Sequence, residues 1–272
     1  MSGFEASTAY VEPLSRVFKA VSAVSKEGQL VLDESGIKIQ ISDSSHAFAA
    51  FIFIPPEIFA LYACYGHHEV KIDISKLALC LKMYVDWSPL NRRTKRSAES
   101  QCVFQYKEFG QFELRFSQDS MSSVCVLTVF ADPELDADVA FDADDVVLHA
   151  IMPGSVFENL LREFAALEAA ELTVRSSNAP RRLHFTAPSD LAATEITLRE
   201  DPKLLTALNV QEPAGFTYNF KTVCKAREAA KLASQVSMRV DSQGVLSTQL
   251  IYEFDEQKVF VEFRFLPVEN TS

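Results

Sequence analysis

The stretch ISDSSHAF at 41–48 places an acid, two hydroxyls and an imidazole side by side, which are the side chains of a nucleophilic hydrolase. In an extended strand, Ser44 and His46 share a face but lie about 6.6 Å apart in backbone rise, whereas a nucleophile and its base need about 3 Å. Working triads also combine residues from separated parts of a chain. Asp43, Ser44 and Ser45 suit a turn whose side chains bond the backbone, so we expect a structural role.

A second stretch has side chains that bind zinc. His67, His68 and Glu69 resemble a fragment of a zinc-protease helix, but the second histidine four residues further on is missing. The eight glycines also never fall into a phosphate-binding or dinucleotide-binding pattern. We therefore expect no metal, no cofactor and no enzymatic activity.

The segment ADPELDADVAFDADD at 131–145 contains many acids and no base. Its first carboxylates alternate as the ligands of an EF-hand loop do, at Asp132, Glu134, Asp136 and Asp138. Neither Ala137 nor Val139 is the glycine that such a loop requires at its sixth position, so we expect a solvated connector. A metal-dependent nuclease that uses these carboxylates stays an alternative hypothesis.

The composition is that of a compact, intracellular protein. The 272 residues are 48% hydrophobic, and the five cysteines are widely spaced, which is typical of reduced core thiols. No apolar run is long enough for a membrane span, and no secretory leader is expected. The net charge of −11 argues against a simple basic nucleic-acid binder, so any DNA contact must depend on the local distribution of charge.

A repeated order of elements decides the architecture. Apolar residues at helical spacing predict helices at 11–24, 73–86, 152–167 and 219–233, and alternating runs between them predict strands. The same order occurs twice, which predicts an α+β fold of two similar domains, each with two helices on one face of β-sheet. The predicted divisions are a first domain at 1–130, an acidic connector at 131–147 and a second domain at 148–272.

Several segments are similar to the PCNA-like sliding clamps, over nearly the whole chain. They include SGIKIQISDSSH at 35–46, MPGSVFENLLRE at 152–163 and VFVEFRFLPVEN at 259–270. The stretch QVSMRVDSQGVLSTQLIYEFDEQKVFVEF and a polar insert at 87–100 resemble more closely the subunit numbered one (the Rad-one type) of the DNA-damage checkpoint clamp, the nine-one-one complex. The insert carries Arg92, Arg93, Lys95 and Arg96, and we expect a loop, with nuclear localisation or DNA contact as the alternative.

The resemblance implies a ring whose inner wall is formed by helices that hold duplex DNA through its phosphates. The cations expected to line that wall are Arg16, Lys19, Lys76, Lys82, Arg162, Lys221, Lys225, Arg227 and Lys231. In the third helix, Glu158, Glu163 and Glu168 outnumber Arg162, so we expect this part of the wall to grip DNA weakly.

The resemblance also implies that edge strands of neighbouring subunits pair with each other. The residues expected at these joints are Val124, Val126, Thr128, Phe130, Thr194, Ile196 and Leu198. A groove for partner proteins is expected at His46, Val139, Phe141, Leu266, Pro267 and Val268. The acidic connector places the usual hydrophobic peptide plug of this groove in doubt.

The function that the resemblance implies is a non-catalytic subunit of a heterotrimeric checkpoint clamp in the nucleus. Its expected partners are two other PCNA-like subunits, double-stranded DNA, an ATP-dependent clamp loader, and repair and checkpoint proteins. A homotrimeric replication clamp, which acts as a processivity factor, is the alternative within the same fold.

Overall fold

The computed structural model describes residues 3–87, 101–107, 110–118, 121–130, 139–189 and 193–268. Helices and antiparallel sheets are both present, as the α+β prediction requires. The predicted insert at 87–100, from residue 88 onward, and the first part of the acidic segment, 131–138, lie outside the described residues.

The first half of the chain contains nine strands and two α-helices among its described residues. In order these are β1 (Gly3–Thr8), α1 (Val11–Val21), β2 (Glu27–Asp33), β3 (Gly36–Ser42), β4 (Phe48–Ile54), β5 (Leu61–Tyr65), β6 (His68–Asp73), α2 (Ile74–Trp87), β7 (Gln101–Lys107), β8 (Phe112–Gln118) and β9 (Met121–Leu127). A short 3-10 helix, Pro56–Ile58, follows β4.

The second half repeats this order. Its elements are β10 (Val146–Pro153), α3 (Gly154–Ala166), β11 (Glu171–Asn178), β12 (Arg181–Pro188), β13 (Ala193–Leu198), β14 (Ala207–Val210), β15 (Gly215–Asn219), α4 (Phe220–Val223), α5 (Arg227–Ala230), β16 (Gln235–Asp241), β17 (Leu246–Phe254) and β18 (Gln257–Phe265). A 3-10 turn, Cys224–Ala226, joins α4 to α5. The sequence predicted one continuous helix at 219–233, and the structure divides that helix in two at this turn.

The chain forms two compact units, and each unit takes segments from both ends of the sequence. The first unit comprises Met1–Ile41, Phe51–Asp136 and Glu253–Val259. The second unit comprises Ser42–Ala50, Ala137–Tyr252 and Phe260–Ser272. The contiguous boundaries at 130 and 148 stay a prediction.

The two halves of the sequence have the same strand connections. The sheets have the orders β5-β1-β7-β8-β9, β14-β10-β16-β17-β18-β4-β3-β2-β6 and β13-β12-β11-β15. The run β5-β1-β7-β8-β9 therefore matches β14-β10-β16-β17-β18, and the run β4-β3-β2-β6 matches β13-β12-β11-β15. Each strand from β1 to β9 thus has a counterpart from β10 to β18, in the same position of its run. The repeat inferred from the sequence is thus a repeat of topology.

The helices form because apolar residues recur on one face of each. In α1, Leu14, Val17, Phe18 and Val21 are buried, and this face packs against α2. The start of α3 lies against the end of α5 so closely that a Cβ on Gly154 would be 2.2 Å from the carbonyl oxygen of Ala233. Only glycine fits there, which fixes the approach of these two helices.

Candidate nucleic-acid interface and docking edges

The α1 helix exposes the two cations that the sequence assigned to DNA binding. Arg16 and Lys19 lie on the face opposite the buried residues, and both are exposed. The Arg16 guanidinium donates to Glu12 one turn earlier, whereas Lys19 has no carboxylate within 4 Å among the described residues. Lys19 is therefore the cation of this helix that is free for a phosphate.

The α2 helix presents a similar pair. Lys76 and Lys82 are exposed, and Lys82 lies 3.4 Å from the Asp86 carboxylate. Asp73 caps the start of the helix by accepting a hydrogen bond from the backbone N–H of Lys76, at 2.9 Å. These hydrogen bonds and those from Ser75 keep the pKa of Asp73 below its ordinary value, although burial opposes the shift.

In α3, the single predicted DNA contact is engaged within its own helix. Arg162 lies 3.4 Å from Glu158 and 3.3 Å from Glu163, and it is surrounded by negative charge. The expectation that this helix grips DNA weakly has a geometric reason, because a phosphate would have to displace both carboxylates.

The four cations around α4 and α5 are not equivalent. Lys221 and Lys231 are exposed and have no ion-pair partner in the described part of the chain. Arg227 pairs with Glu228 at 3.2 Å. Lys225 is half-buried, and its Nζ lies 5.5 Å from the centre of the Phe48 ring. Lys221 and Lys231 are thus the available charges.

At the predicted joints, two strands have one neighbour each among the described residues. β9 pairs with β8 alone, and β13 pairs with β12 alone. On β9, Val124 is 58% exposed and Val126 is 48% exposed, which is unusual for valines in a sheet. Their edge is open for pairing with another strand.

The remaining joint residues are placed differently. Thr128 and Phe130 follow the end of β9, and Phe130 forms a bridge with Lys71 of β6. On β13, Thr194 and Ile196 are half-buried, whereas Leu198 is buried in the core of the second unit. The sequence placed all seven residues on free edges, and the structure puts four of them on strand edges without burying them: Val124, Val126, Thr194 and Ile196.

The predicted groove residues all lie in the second unit. The backbone N–H of Leu266 donates to Ala47, next to His46, and that of Val268 donates to Thr217. Leu266 and Val268 are each 41% exposed, and Pro267 between them is half-buried. They offer apolar surface to a partner.

Val139 and Phe141 lie on a charged network that the sequence did not predict. The Arg264 guanidinium donates to the Val139 carbonyl at 3.2 Å, and the Arg239 guanidinium lies 4.9 Å from the Phe141 ring. Glu262 accepts hydrogen bonds from both arginines, at 3.2 Å each. Val139 is buried and Phe141 is half-buried. These residues are too far apart in sequence to reveal the network.

The loop at 43–46 is a turn. Ser45 Oγ donates to both carboxylate oxygens of Asp43, at 3.0 and 2.9 Å, and the His46 N–H donates to the Asp43 carbonyl. His46 has a φ of +54° and is exposed, and within the described residues its ring makes no hydrogen bond with Ser44. The geometry is that of a side-chain-stabilised turn and contains no nucleophile held by its base.

No group of three metal-binding side chains occurs among the residues with described positions. His67 Nε2 lies 3.0 Å from the Glu69 carboxylate, and both residues are exposed. The candidate nuclease carboxylates Asp132, Glu134, Asp136 and Asp138 lie outside the described residues. A search of the described helices also finds none with the length and apolar character of a membrane span.

Comparisons with known proteins agree over almost the full length. The sequence profile described as "Repair protein Rad1/Rec1/Rad17" matches residues 3–252. The chain is 24% identical over 264 residues to the "Cell cycle checkpoint protein RAD1 homolog mrt-2" of Caenorhabditis elegans, covering 96% of this chain and 92% of that protein. It is 23% identical over 265 residues to the "Cell cycle checkpoint protein RAD1" of Homo sapiens, covering 96% of this chain and 90% of that one.

The fold is similar to that of a sliding clamp. The crystal structure of proliferating cellular nuclear antigen from Entamoeba histolytica superposes with a TM-score of 0.80 and 16% identity, over 98% of this chain and all of that one. This similarity confirms the PCNA-like α+β fold that the sequence predicted.

Proposed function

Because the chain belongs to the Rad1/Rec1/Rad17 family of repair proteins, we propose that it is a non-catalytic subunit of a ring-shaped DNA-damage checkpoint clamp. Such a ring encircles double-stranded DNA and recruits repair and signalling proteins. The clamp fold, the exposed helical lysines and the open strand edges all support this function.

The main support for the proposal comes from comparing which strand edges are paired in the two halves of the fold. β18 has β4 as its hydrogen-bonded neighbour, whereas β9 and β13, which are the counterparts of β18 and β4, are open in the described structure. If β9 of one subunit pairs with β13 of the next, the pairing seen within the chain is repeated between chains. Head-to-tail contacts of this kind form a ring when the rotation from one subunit to the next closes.

The proposed DNA contact depends on a local group of positive charges, although the net charge of the chain is −11. Lys19, Lys76, Lys221 and Lys231 are exposed on helices and have no ion-pair partner in the described part of the chain. Contacts to phosphates are independent of base sequence, so they allow a ring to be retained on any duplex and to slide along it.

In the proposed assembly, two other PCNA-like subunits complete a heterotrimer in the nucleus, and an ATP-dependent loader opens it around DNA. The surface formed by His46, Phe141, Leu266, Pro267 and Val268 is the proposed site for repair and checkpoint proteins. Leu266 and Val268 are exposed, Phe141 and Pro267 are half-buried, and the backbone N–H groups of Leu266 and Val268 donate to the carbonyls of Ala47 and Thr217.

A homotrimeric clamp is the second candidate, because one chain carries both kinds of open edge. Native mass spectrometry of the complex purified from its own cells distinguishes a homotrimer from a heterotrimer. We expect one copy of this 30.4 kDa chain with two different clamp chains. A complex of three identical chains would contradict the heterotrimer and favour a replication clamp.

Retention on DNA tests the clamp function itself. The purified complex, loaded by its ATP-dependent loader onto nicked circular DNA, should stay bound at high salt and be released when the circle is cut. Retention that does not depend on closure of the circle would contradict encirclement. Degradation of the DNA in the presence of Mg²⁺ or Mn²⁺ would contradict a non-catalytic role, provided that changing Asp132, Glu134, Asp136 and Asp138 to Asn or Gln abolishes it.

A further inference from the structure

Three arginines lie on one face of the sheet β13-β12-β11-β15 in the second unit. They are Arg175 on β11, Arg182 on β12 and Arg199, which directly follows β13. Each is next in sequence to a buried residue, namely Val174, Leu183 or Leu198. Because side chains alternate between the two faces of a strand, the arginines lie on the face turned away from the core. We call these three arginines the basic patch.

The strand registers place the three arginines side by side. β13 runs antiparallel to β12, and Arg181 lies 3.8 Å from the Glu200 carboxylate, which continues their register beyond the end of β13. Arg182 and Arg199 are therefore neighbours. Arg175, on the other side of β12, lies opposite the residue two positions after Arg182. Sheet geometry puts the three backbone positions within about 12 Å of one another, so their long side chains can contact one bound group.

The positive charges of the basic patch are not neutralised by neighbouring acids. No carboxylate lies within 4.0 Å of any of the three guanidinium groups in the described part of the chain. Arg175 and Arg199 are exposed. Arg182 is half-buried, and its buried Nε atom has no hydrogen-bond partner among the described residues. A cation that is partly removed from water without a counter-charge is costly, so the patch favours an anion.

One carboxylate on the same face, Glu195 of β13, already has partners. It lies 3.1 Å from His184 Nδ1 and accepts a hydrogen bond from Thr197 at 3.2 Å. The hydrogen bond with His184 is the main reason why the pKa of Glu195 is below its ordinary value, and the charge of Arg175 has the smallest effect. Glu171 is four residues from Arg175, or about 13 Å along β11. The patch thus stays available to an anion from outside the chain.

The basic patch is separate from the proposed DNA contacts. Lys221 belongs to α4, whose residues Phe220 and Val223 are buried in the core of the unit. The helical segment therefore lies on the core side of the sheet, and the patch lies on the opposite side. A duplex bound to Lys221 leaves the patch free.

We propose that the basic patch binds a phosphorylated serine or threonine in a segment of a partner protein. A phosphate group carries nearly two negative charges and three acceptor oxygens, which suits several guanidinium groups, and arginine clusters commonly recognise it. A DNA duplex would extend past the patch and be repelled by a chain whose net charge is −11, whereas a single phosphate fits within the patch. This docking site goes beyond the proposed clamp function and does not depend on it.

Peptide arrays test the proposal with the purified 272-residue chain. One array carries heptapeptides with a central phosphoserine and randomised flanking residues, and a second array carries serine at the same position. We expect at least about tenfold stronger binding to the phosphoserine array, because charge-assisted hydrogen bonds between arginine and phosphate are strong.

Substitutions locate the binding site. Arg182→Gln and Arg199→Gln should each weaken binding to the phosphoserine array by about tenfold. Arg199 is exposed, so its replacement leaves the core intact, and an unchanged urea midpoint verifies this. Arg115→Gln is the matched control, since it removes the same charge from an exposed strand position in the first unit and should leave binding unchanged.

Three results would overturn the proposal. They are equal binding to the two arrays, phosphoserine binding that survives Arg199→Gln, and tighter binding of a short fluorescent DNA duplex that Arg199→Gln abolishes. The last result would make the patch a nucleic-acid site. None of these measurements uses the other subunits, so a negative result together with normal retention of the native complex on circular DNA would remove the docking site and leave the clamp function intact.

Discussion

Tyr218 donates a hydrogen bond from its buried hydroxyl to the carbonyl of Gly244, at 2.8 Å. Gly244 has a φ of +85°, and its backbone also lies against the ring of Phe216. This single bond joins β15 to the turn before β17 inside the second unit.

Removal of that hydroxyl should therefore be costly. We expect Tyr218→Phe to lower the free energy of unfolding by about 1–2 kcal/mol, because the Gly244 carbonyl loses its partner in a buried site. Urea denaturation measures the change. Tyr65→Phe, on a side chain that is 65% exposed, is the control and should have no measurable effect. An equal loss in both variants would contradict this account.

Stability should fall at alkaline pH. Burial raises the pKa of Tyr218 and of Tyr252 above the ordinary value, and burial likewise raises that of Tyr62. A raised folded-state pKa means that the stabilising contribution is complete below the unfolded-state pKa, about 10, and is lost as the pH rises through the folded-state value.

Urea midpoints measured from pH 8 upward should thus begin to decrease near pH 10. Tyr252→Phe should show a smaller decrease than the wild type, since one buried ionisable hydroxyl has been removed. A midpoint independent of pH across this range would count against these buried hydroxyls as the cause.

Glu262 should be the most sensitive charged residue of the second unit. It accepts hydrogen bonds from Ser247, Arg239 and Arg264, and all of these side chains are mostly buried or half-buried. We expect Glu262→Gln to cost about 2–3 kcal/mol, because two guanidinium groups lose their counter-charge.

A double-mutant cycle with Arg239→Met provides the control. The combined loss should be smaller than the sum of the two single losses, since the arginine that Glu262→Gln leaves unpaired is absent. Strict additivity would show that the two residues act independently.

Lys221 and Lys231 should contribute to DNA binding by the assembled ring. Each phosphate neutralised on B-DNA contributes about 0.9 to the slope of log affinity against log salt, so replacing both by Ala should make the slope shallower by about 2. The loss should be the same for any duplex sequence. Lys38→Ala, on strand β3, is the control.

Lys225→Ala should behave differently from those two. Its ammonium group lies over the Phe48 ring, so we expect a loss of about 0.5–1 kcal/mol of stability and little change in the salt slope. A salt slope unchanged by the double Lys221 and Lys231 replacement, in a ring of normal mass, would contradict a DNA-facing position for this helical segment.

The sequence predicted the repeated fold well because alternation and helical spacing are local signals. It predicted the ends of α2 and α3 within two residues, but the 3-10 turn at 224–226 has no such signal. The pairing of Arg162 with Glu158 is likewise a local i,i+4 signal, whereas the sequence could not show that Lys225 lies over Phe48, which is far away in the chain.

The sequence could not predict the apolar pocket between α2, β8 and β9, because its residues are distant in the chain. Its lining comes from three separate elements, and Cys80 and Cys125 meet only when the strand order brings β9 beside α2. Burial raises the pKa of the Cys80 thiol to about 12, and the hydrogen bond with Cys125 adds to this effect. Neither cysteine has a sequence neighbour that indicates a pocket.

The division of the chain into units has a consequence for synthesis on the ribosome. The first unit includes Glu253–Val259, and the second includes Ser42–Ala50, so neither is complete until the last strand has been made. When only residues 1–200 of a nascent chain have left the ribosome, both units still lack strands, and apolar strand edges are exposed. We therefore expect this protein to depend on chaperones during translation more than a protein with two contiguous domains of the same size.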